Sequence, residues 1–485
     1  MDPKKEATAM TTTEHLEMQQ AEDHAEAAAN QIAYEKTLSF VQSVRVFWRS
    51  TLWILYVQLV VFGYGIDGII AGNLLAIPKF REDYGTTLTQ GVTTMYIIPA
   101  TWQSLYGGVS QLAAVLGAAI TGWLADKIGR RYTNMLFCAI SIVGVGLQYH
   151  STLDGSLPIL TVGKAINGLS IGAWLIIGPL YASEVAPLKL RGWLTAMTNF
   201  IQFCGTLLFT GIMYRLGPRN DRDSYIIPFV CQWIIPAIVL PTIWLCPESP
   251  VWLVRAGHRD AAVKSLDRLH GDSKDIDKKA ILAVIEQTIR NEQEYRSETS
   301  SVSYASCFQK RDRQRTLINV LLAEHVEQLQ HVCRQYPFLA PVDCRWSPAS
   351  YRMGTVHLCN HVVHCWWSFF ALGTVAWTVV AEIPTWRLRS RTQGLSNVVL
   401  CIVQWLIGFV FPYMFNPDAG NLGGKVGFIF GATTLIGFAG CWVWLPETKN
   451  RTTAELDDLY AAKVKPRHFH KTHLGEAAGS DDKTA

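Results

Sequence analysis

Nineteen consecutive uncharged residues separate Lys164 from Glu184, about the length an α-helix needs to cross the hydrocarbon of a bilayer. Runs of the same kind recur at 51–77, 104–125, 134–151, 159–182, 193–215 and 227–246, and, after a long polar interval, at 362–383, 393–415 and 425–445. The pattern predicts an all-α, polytopic membrane protein with about nine clear spans. Within the run at 159–182, Gly163, Gly168, Gly172 and Gly178 recur every four to six residues. Small residues at such spacing flatten a helix face and let neighbouring helices approach. Pro179 then loosens the helix near its end. Glu184 and Arg191 close the run seven residues apart, and Glu382 and Arg389 repeat that ending about two hundred residues later. Two matching exits suggest a chain of two repeats, the plan of many secondary transporters.

The polar intervals set the topology. Those at 126–132, with Lys127, Arg130 and Arg131, and at 187–192, with Lys189 and Arg191, are short and basic, which places them in the cytosol. The connections at 78–103 and 216–226 then face outward. After Pro247 the chain turns charged and helix-forming to about Arg315, with Ser249 as an N-cap, Pro250 in the first helical position and an apolar stripe at Ile281, Leu282, Ile285 and Ile289. This reads as a cytosolic linker. Its successor, 316–361, holds Glu324, His325, Glu327, His331, Arg334, Asp343, Arg345 and Arg352, and charges at bilayer depth cost a few kcal/mol each. That segment does not read as a normal span. If 362–383 crosses alone, Arg387, Arg389 and Arg391 fall outside, against the positive-inside rule, so the last three helices are either inverted or one crossing is left out. The expected layout is therefore a cytosolic tail (1–45), a six-helix half (46–246), a linker (247–315), an atypical segment (316–361), three helices (362–446) and a second cytosolic tail (447–485).

Composition agrees with the hydropathy. At 49% hydrophobic residues, 17% charged residues and 17 Trp, the chain is too apolar for an average soluble protein. A net charge of +4 without a basic block excludes nucleic acid as a partner. The eleven cysteines are scattered, many in apolar runs, which is no disulfide framework. Residues 1–40 carry no apolar core, so no cleavable signal peptide is expected and the first span directs insertion. His357, Cys359, His361, His364 and Cys365 crowd together, but their spacing fits no zinc pattern, and no metal is expected. Neither a nucleophile elbow, a phosphate-binding loop nor a paired-carboxylate cleft is present, so the chain reads as no enzyme, without cofactors.

Several motifs together resemble the sugar porter branch of the major facilitator superfamily, with the fungal maltose and α-glucoside permeases as the nearest type. They are Gly163, Lys164, Gly168, Pro179, Tyr181, Glu184, Pro187, Arg191 and Gly192 in one stretch, DKIGRR at Asp126–Arg131, PESPVWL at Pro247–Leu253, GTVAWTVVAE at Gly373–Glu382, and PETKNRT at Pro446–Thr452. The resemblance covers roughly 45–320 and 365–455. Between these stretches the family's seventh to ninth helices and its second GRR turn are missing, and 321–360 reads more like translated non-coding or frameshifted sequence than like part of a porter.

The resemblance implies a helical bundle that takes up a sugar, an α-glucoside or a hexose, together with protons, across the plasma membrane, and it implies site residues. A cytosolic ion-pair gate would comprise Asp126, Arg130, Arg131, Glu184, Arg191 and Glu248, with Glu382, Arg389 and Glu447 from the second half. The alternative is that the same residues are ordinary topogenic charges. Asn199, Trp377 and Asn397 match substrate-binding positions: amides pair with hydroxyls, and an aromatic face receives the ring. Proton-linked members carry an Asp just after FGY; here FGY (Phe62–Tyr64) is followed by Gly65, and Asp67 lies two further on. An intramembrane carboxylate is a functional candidate because ionising it there is costly, although a purely structural hydrogen bond would also account for it. Two other readings stand beside transport: a membrane sensor that no longer transports, and the product of a decayed transporter gene. A further alternative keeps transport and exchanges the sugar for another polyol-like or secondary-metabolite substrate.

Overall fold

The computed structural model describes residues 37–90, 93–271, 277–298 and 389–444, with a few isolated positions before 37 and between 308 and 317. Its described helices are α1 (Phe40–Val46), α2 (Trp48–Asn73), α3 (Pro78–Tyr84), α4 (Ala100–Ile128), α5 (Arg130–Asp154), α6 (Leu157–Val185), α7 (Leu188–Leu216), α8 (Asp223–Gln232), α9 (Ile234–Thr242), α10 (Pro250–Arg255), α11 (Arg259–His270), α12 (Lys278–Glu298), α13 (Arg389–Phe415) and α14 (Val426–Trp444). Among the described residues, six helical stretches are long and apolar enough to cross a membrane: Trp48–Ala76, Ala100–Ile128, Arg130–Asp154, Leu157–Val185, Lys189–Leu216 and Asp223–Leu245. They coincide with the six runs of the first half. α13 and α14 cover the runs at 393–415 and 425–445, whereas the run at 362–383 and the segment 316–361 lie outside the described residues, apart from Thr316 and Leu317.

α6 is the spine of the half. Its glycines face their neighbours: a Cβ at Gly172 would collide with the Ala114 carbonyl oxygen of α4, and one at Gly117 of α4 would collide with the Leu169 carbonyl oxygen of α6. Backbone-to-backbone approach at this distance is open only to glycine. Pro179 sits inside α6 without ending it. The last span of the half is broken between α8 and α9 at Trp233, where Pro236 has no N–H to return to the Gln232 carbonyl. Trp174, Tyr181, Phe229 and Ile54 fill the interior, while Leu112, Leu116, Ile120 and Trp123 line one exposed face of α4. That polarity suits a bundle whose solvent is lipid.

One feature of the outer connection escaped the hydropathy pattern. Between the first two spans the chain forms α3 and an antiparallel hairpin, β1 (Thr86–Gln90) with β2 (Thr93–Ile97), Thr86 opposite Ile97. The threonines and the Met95–Tyr96–Ile97 end favour extended backbone, but two strands are too short to register against long apolar helices. After Pro247 the described residues form the helices α10, α11 and α12. The Ser249 hydroxyl accepts from the Trp252 N–H and Pro250 opens α10, and Leu253, Ala262, Leu266 and Leu282 form a small separate core with Ile281 packed on it. The linker is tied to the first span: the Ser50 hydroxyl donates to the Leu269 carbonyl at 3.2 Å and lies 3.2 Å from His270 Nδ1.

Candidate functional site: a buried ion pair and a cytosolic charge cluster

Asp67 comes from the later part of α2, and α6 brings it a partner. Lys164 Nζ donates to Asp67 Oδ1 at 2.6 Å, and Asn167 Nδ2 donates to the same oxygen at 2.8 Å. Both ion-pair side chains are enclosed, Lys164 at 0% and Asp67 at 7% exposure. Asn167 is itself held, accepting from the Ser141 hydroxyl at 2.7 Å and donating to Gln232 Oε1 at 3.3 Å. The Tyr106 ring lies 5.6 Å from the Lys164 ammonium. α2, α4, α5, α6 and α8 thus meet at one buried polar cluster inside the half. Around it, the Tyr106 hydroxyl, both amide atoms of Gln148 and Gln232 Nε2 are buried without a protein hydrogen-bond partner among the described residues. Desolvating two charges is expensive, and such a pair persists only when geometry and added hydrogen bonds compensate. Removing either partner leaves the other stranded.

Lys164 is the residue that sequence reasoning passed over. Along the chain it only bounds an apolar run and fills one position of a motif. A lysine five residues into the run at 159–182, on the same helix as Asn167, was the available signal, since a charge there demands an opposite one.

The cytosolic cluster is built on the turn between α4 and α5. Gly129 occupies it with φ of +92°, a conformation that glycine adopts without penalty. Arg130 follows, 2% exposed, and its guanidinium donates to Glu184 Oε1 at 2.6 Å and to Asp126 Oδ1 at 3.2 Å, with a further bond to the Ala125 carbonyl. Glu184 is enclosed and Asp126 is open to solvent, so the first bond is the stronger tie. Glu248 does something else. It makes no ion pair among the described residues; its carboxylate accepts from the backbone N–H groups of Arg130, Arg131 and Ser249 at 2.9 to 3.3 Å. It therefore caps the N-terminus of α5, where a negative charge meets orphan N–H groups and the positive end of the helix dipole. Burial pushes its carboxyl above the usual range, and the three N–H donors oppose that shift. The Arg131 guanidinium lies over the Tyr132 and Trp244 rings and donates to the Tyr132 hydroxyl.

Other expected site residues are not brought together. Arg191 is exposed, with no ion-pair partner among the described residues, and Asn199 is exposed on α7, outside the hydrogen bonds of the Asp67 cluster. Arg389 opens α13 and Asn397 lies within it. Trp377, Glu382 and Glu447 lie outside the described residues, as does the His357–Cys365 cluster. Among the described residues no group of His, Cys, Asp and Glu has metal-site geometry.

Comparison with known proteins places these observations. The profile of the "Sugar (and other) transporter" family matches residues 18–329 and 355–460. The MFS transporter fmqE of Aspergillus fumigatus is 28% identical over 531 residues, covering 96% of this chain and 98% of that protein. The general alpha-glucoside permease of Saccharomyces cerevisiae is 27% identical over 497 residues, covering 90% and 79% respectively. Among solved structures, the inward-open conformation of the xylose transporter XylE from E. coli superposes with a TM-score of 0.58 at 17% identity, over 84% of this chain and 99% of that one; at this identity the likeness shows the fold. The chain belongs to the sugar transporter family of the major facilitator superfamily, as an integral, multi-pass membrane protein and not an enzyme.

Proposed function

We propose that the chain is a proton-coupled sugar porter of the plasma membrane that works by alternating access, with an α-glucoside or hexose as substrate and Asp67 as the group that carries the proton. The buried Asp67–Lys164 pair carries this reading. While Asp67 is ionised it holds Lys164 and Asn167. When it takes up a proton it no longer neutralises the ammonium, and the cluster that joins α2 to α6 loosens. An ion pair enclosed among helices is thus bistable in the way coupling requires: proton occupancy changes which helix packing is favoured. The polar atoms of Tyr106, Gln148 and Gln232 around it offer acceptors and donors through which bound water can pass the proton. One neighbouring fold, XylE, is described as a proton:xylose symporter, and several relatives as α-glucoside or maltose permeases, which supports the substrate class. In a transporter-null yeast, the wild-type chain is expected to accumulate sugar against a gradient at acidic external pH. Asp67→Asn should abolish accumulation while leaving sugar exchange at equal concentrations measurable. Accumulation by the Asn variant at wild-type level would remove Asp67 from the mechanism.

A second reading is favoured by length. The alignment to the Aspergillus relative runs over 531 residues, more than the 485 of this chain, so that relative carries sequence this chain lacks. On that reading the chain is a non-transporting remnant or sensor. Absence of both accumulation and exchange by correctly folded protein would decide for it.

A further inference from the structure

The two halves meet, in the described residues, where α13 lies antiparallel on α4. Gly408 faces Gly107, Trp405 and Phe409 face Gly108, and the residues just past α13 reach the start of α4. Ala100 is the first residue of α4, and Pro99 at its N-cap position offers no side-chain acceptor. The Ala100 N–H donates instead to Asp418 Oδ2 at 2.8 Å, and Asn416 Nδ2 donates to the Ile98 carbonyl at 3.4 Å. The α4 start belongs to the outer connection, because its other end carries Lys127 and leads to Arg130 on the cytosolic side. Helix α4 is therefore capped at the outer face by a carboxylate from the other half of the molecule.

We propose that Asp418 is an outer clasp between the halves: its carboxylate caps α4 while the outer side is closed and releases it when that side opens. The inference rests on the alternating-access reading above. The chemistry suits a reversible contact. A carboxylate on a helix N-terminus gains from both the orphan N–H and the helix dipole, yet Asp418 is tied to no cation in the described residues. When the halves part, water satisfies both groups. A permanent tie would call for a buried ion pair such as Arg130–Glu184.

The test reads the outer end directly. Spin labels are placed at Thr86→Cys and Asn421→Cys, both exposed, in full-length protein whose native cysteines are replaced, and their separation is measured by pulsed electron resonance in nanodiscs. Wild-type and Asp418→Asn proteins are expected to share one dominant short distance, because Asn caps as well as Asp. Asp418→Ala should raise the ratio of long to short distances about fivefold, the equilibrium change that loss of one cap brings. Identical distributions in all three, with Asp418→Ala merely melting lower, would make Asp418 a static cap and overturn the clasp. The measurement needs neither sugar nor proton gradient, so failure of uptake, which would sink the transport reading, is seen separately.

Discussion

The cytosolic and outer ends of this bundle use the same device for different purposes. At each end a carboxylate distant in sequence caps the N-terminus of a long helix: Glu248 on α5 inside, Asp418 on α4 outside. Glu248 is half-buried, takes three N–H groups and joins parts of one half. Asp418 takes one and joins two halves. Inside, the cap is reinforced by the enclosed Arg130–Glu184 pair; outside, among the described residues, an amide-to-carbonyl bond accompanies it. A strong, multiply bonded cap makes a unit rigid, whereas a single cap across an interface suits a contact that has to open.

The contrast between the ends fails outright if they are assigned the wrong way round. A glycosylation tag beyond Ala485 should stay unmodified, and an acceptor loop inserted at 418–423 should be modified in microsomes. The opposite pattern would turn the second half over and void the outer clasp. Next in size is the cytosolic pair. Arg130→Met strands Glu184 in a buried place and should cost about 3–5 kcal/mol, read as lost thermal stability in detergent. Glu248→Ala leaves the N–H groups of α5 unmet and should cost about 2–3 kcal/mol; a loss no larger than that of a surface substitution would deny it the capping role.

A pH experiment sharpens the inner end further. Burial lowers the His270 imidazole from 6.5 to about 4, with Lys278 adding to the shift. A lowered value means that the folded state resists protonation. The contribution is whole above about pH 6.5 and is lost as pH falls toward 4, worth about 3 kcal/mol over that window. His270→Asn should flatten this part of the stability profile, and an unchanged slope would exclude His270 as its source. The smallest effect is expected outside: Asp418→Ala should cost about 1 kcal/mol in the melt, and Asp418→Asn less.

Much of the architecture is legible in the chain itself. The six spans of the first half, the Ser249 cap with Pro250 behind it and the amphipathic α12 follow from hydropathy and local capping chemistry, which act over a few residues. The hairpin at Thr86–Ile97 is not legible there, because about ten extended residues leave no signal against spans of about twenty. The Arg130–Glu184 bond was expected as part of a charge cluster, but Glu248 was expected as an ion and serves as a cap, since its partners are backbone groups that no composition records. For the last helices two courses stood open, inversion or an omitted crossing. Of these helices α13 runs antiparallel to α4, with its Asn416–Asp418 end beside Ala100 and Arg389 at the opposite end, and the positive-inside rule asks that this opposite end face the cytosol.

By itself, then, the sequence determined that this is a helical membrane protein and where the six apolar helices of its first half lie. Those properties follow from the cost of placing charge and unpaired backbone in hydrocarbon, a cost each segment bears alone. Only the tertiary structure decided that Asp67 meets Lys164, that Glu248 crowns α5, and that Asp418 reaches across to α4. These partners lie between 97 and 318 residues apart, and which charge answers which is settled by how helices pack, not by what any one of them contains.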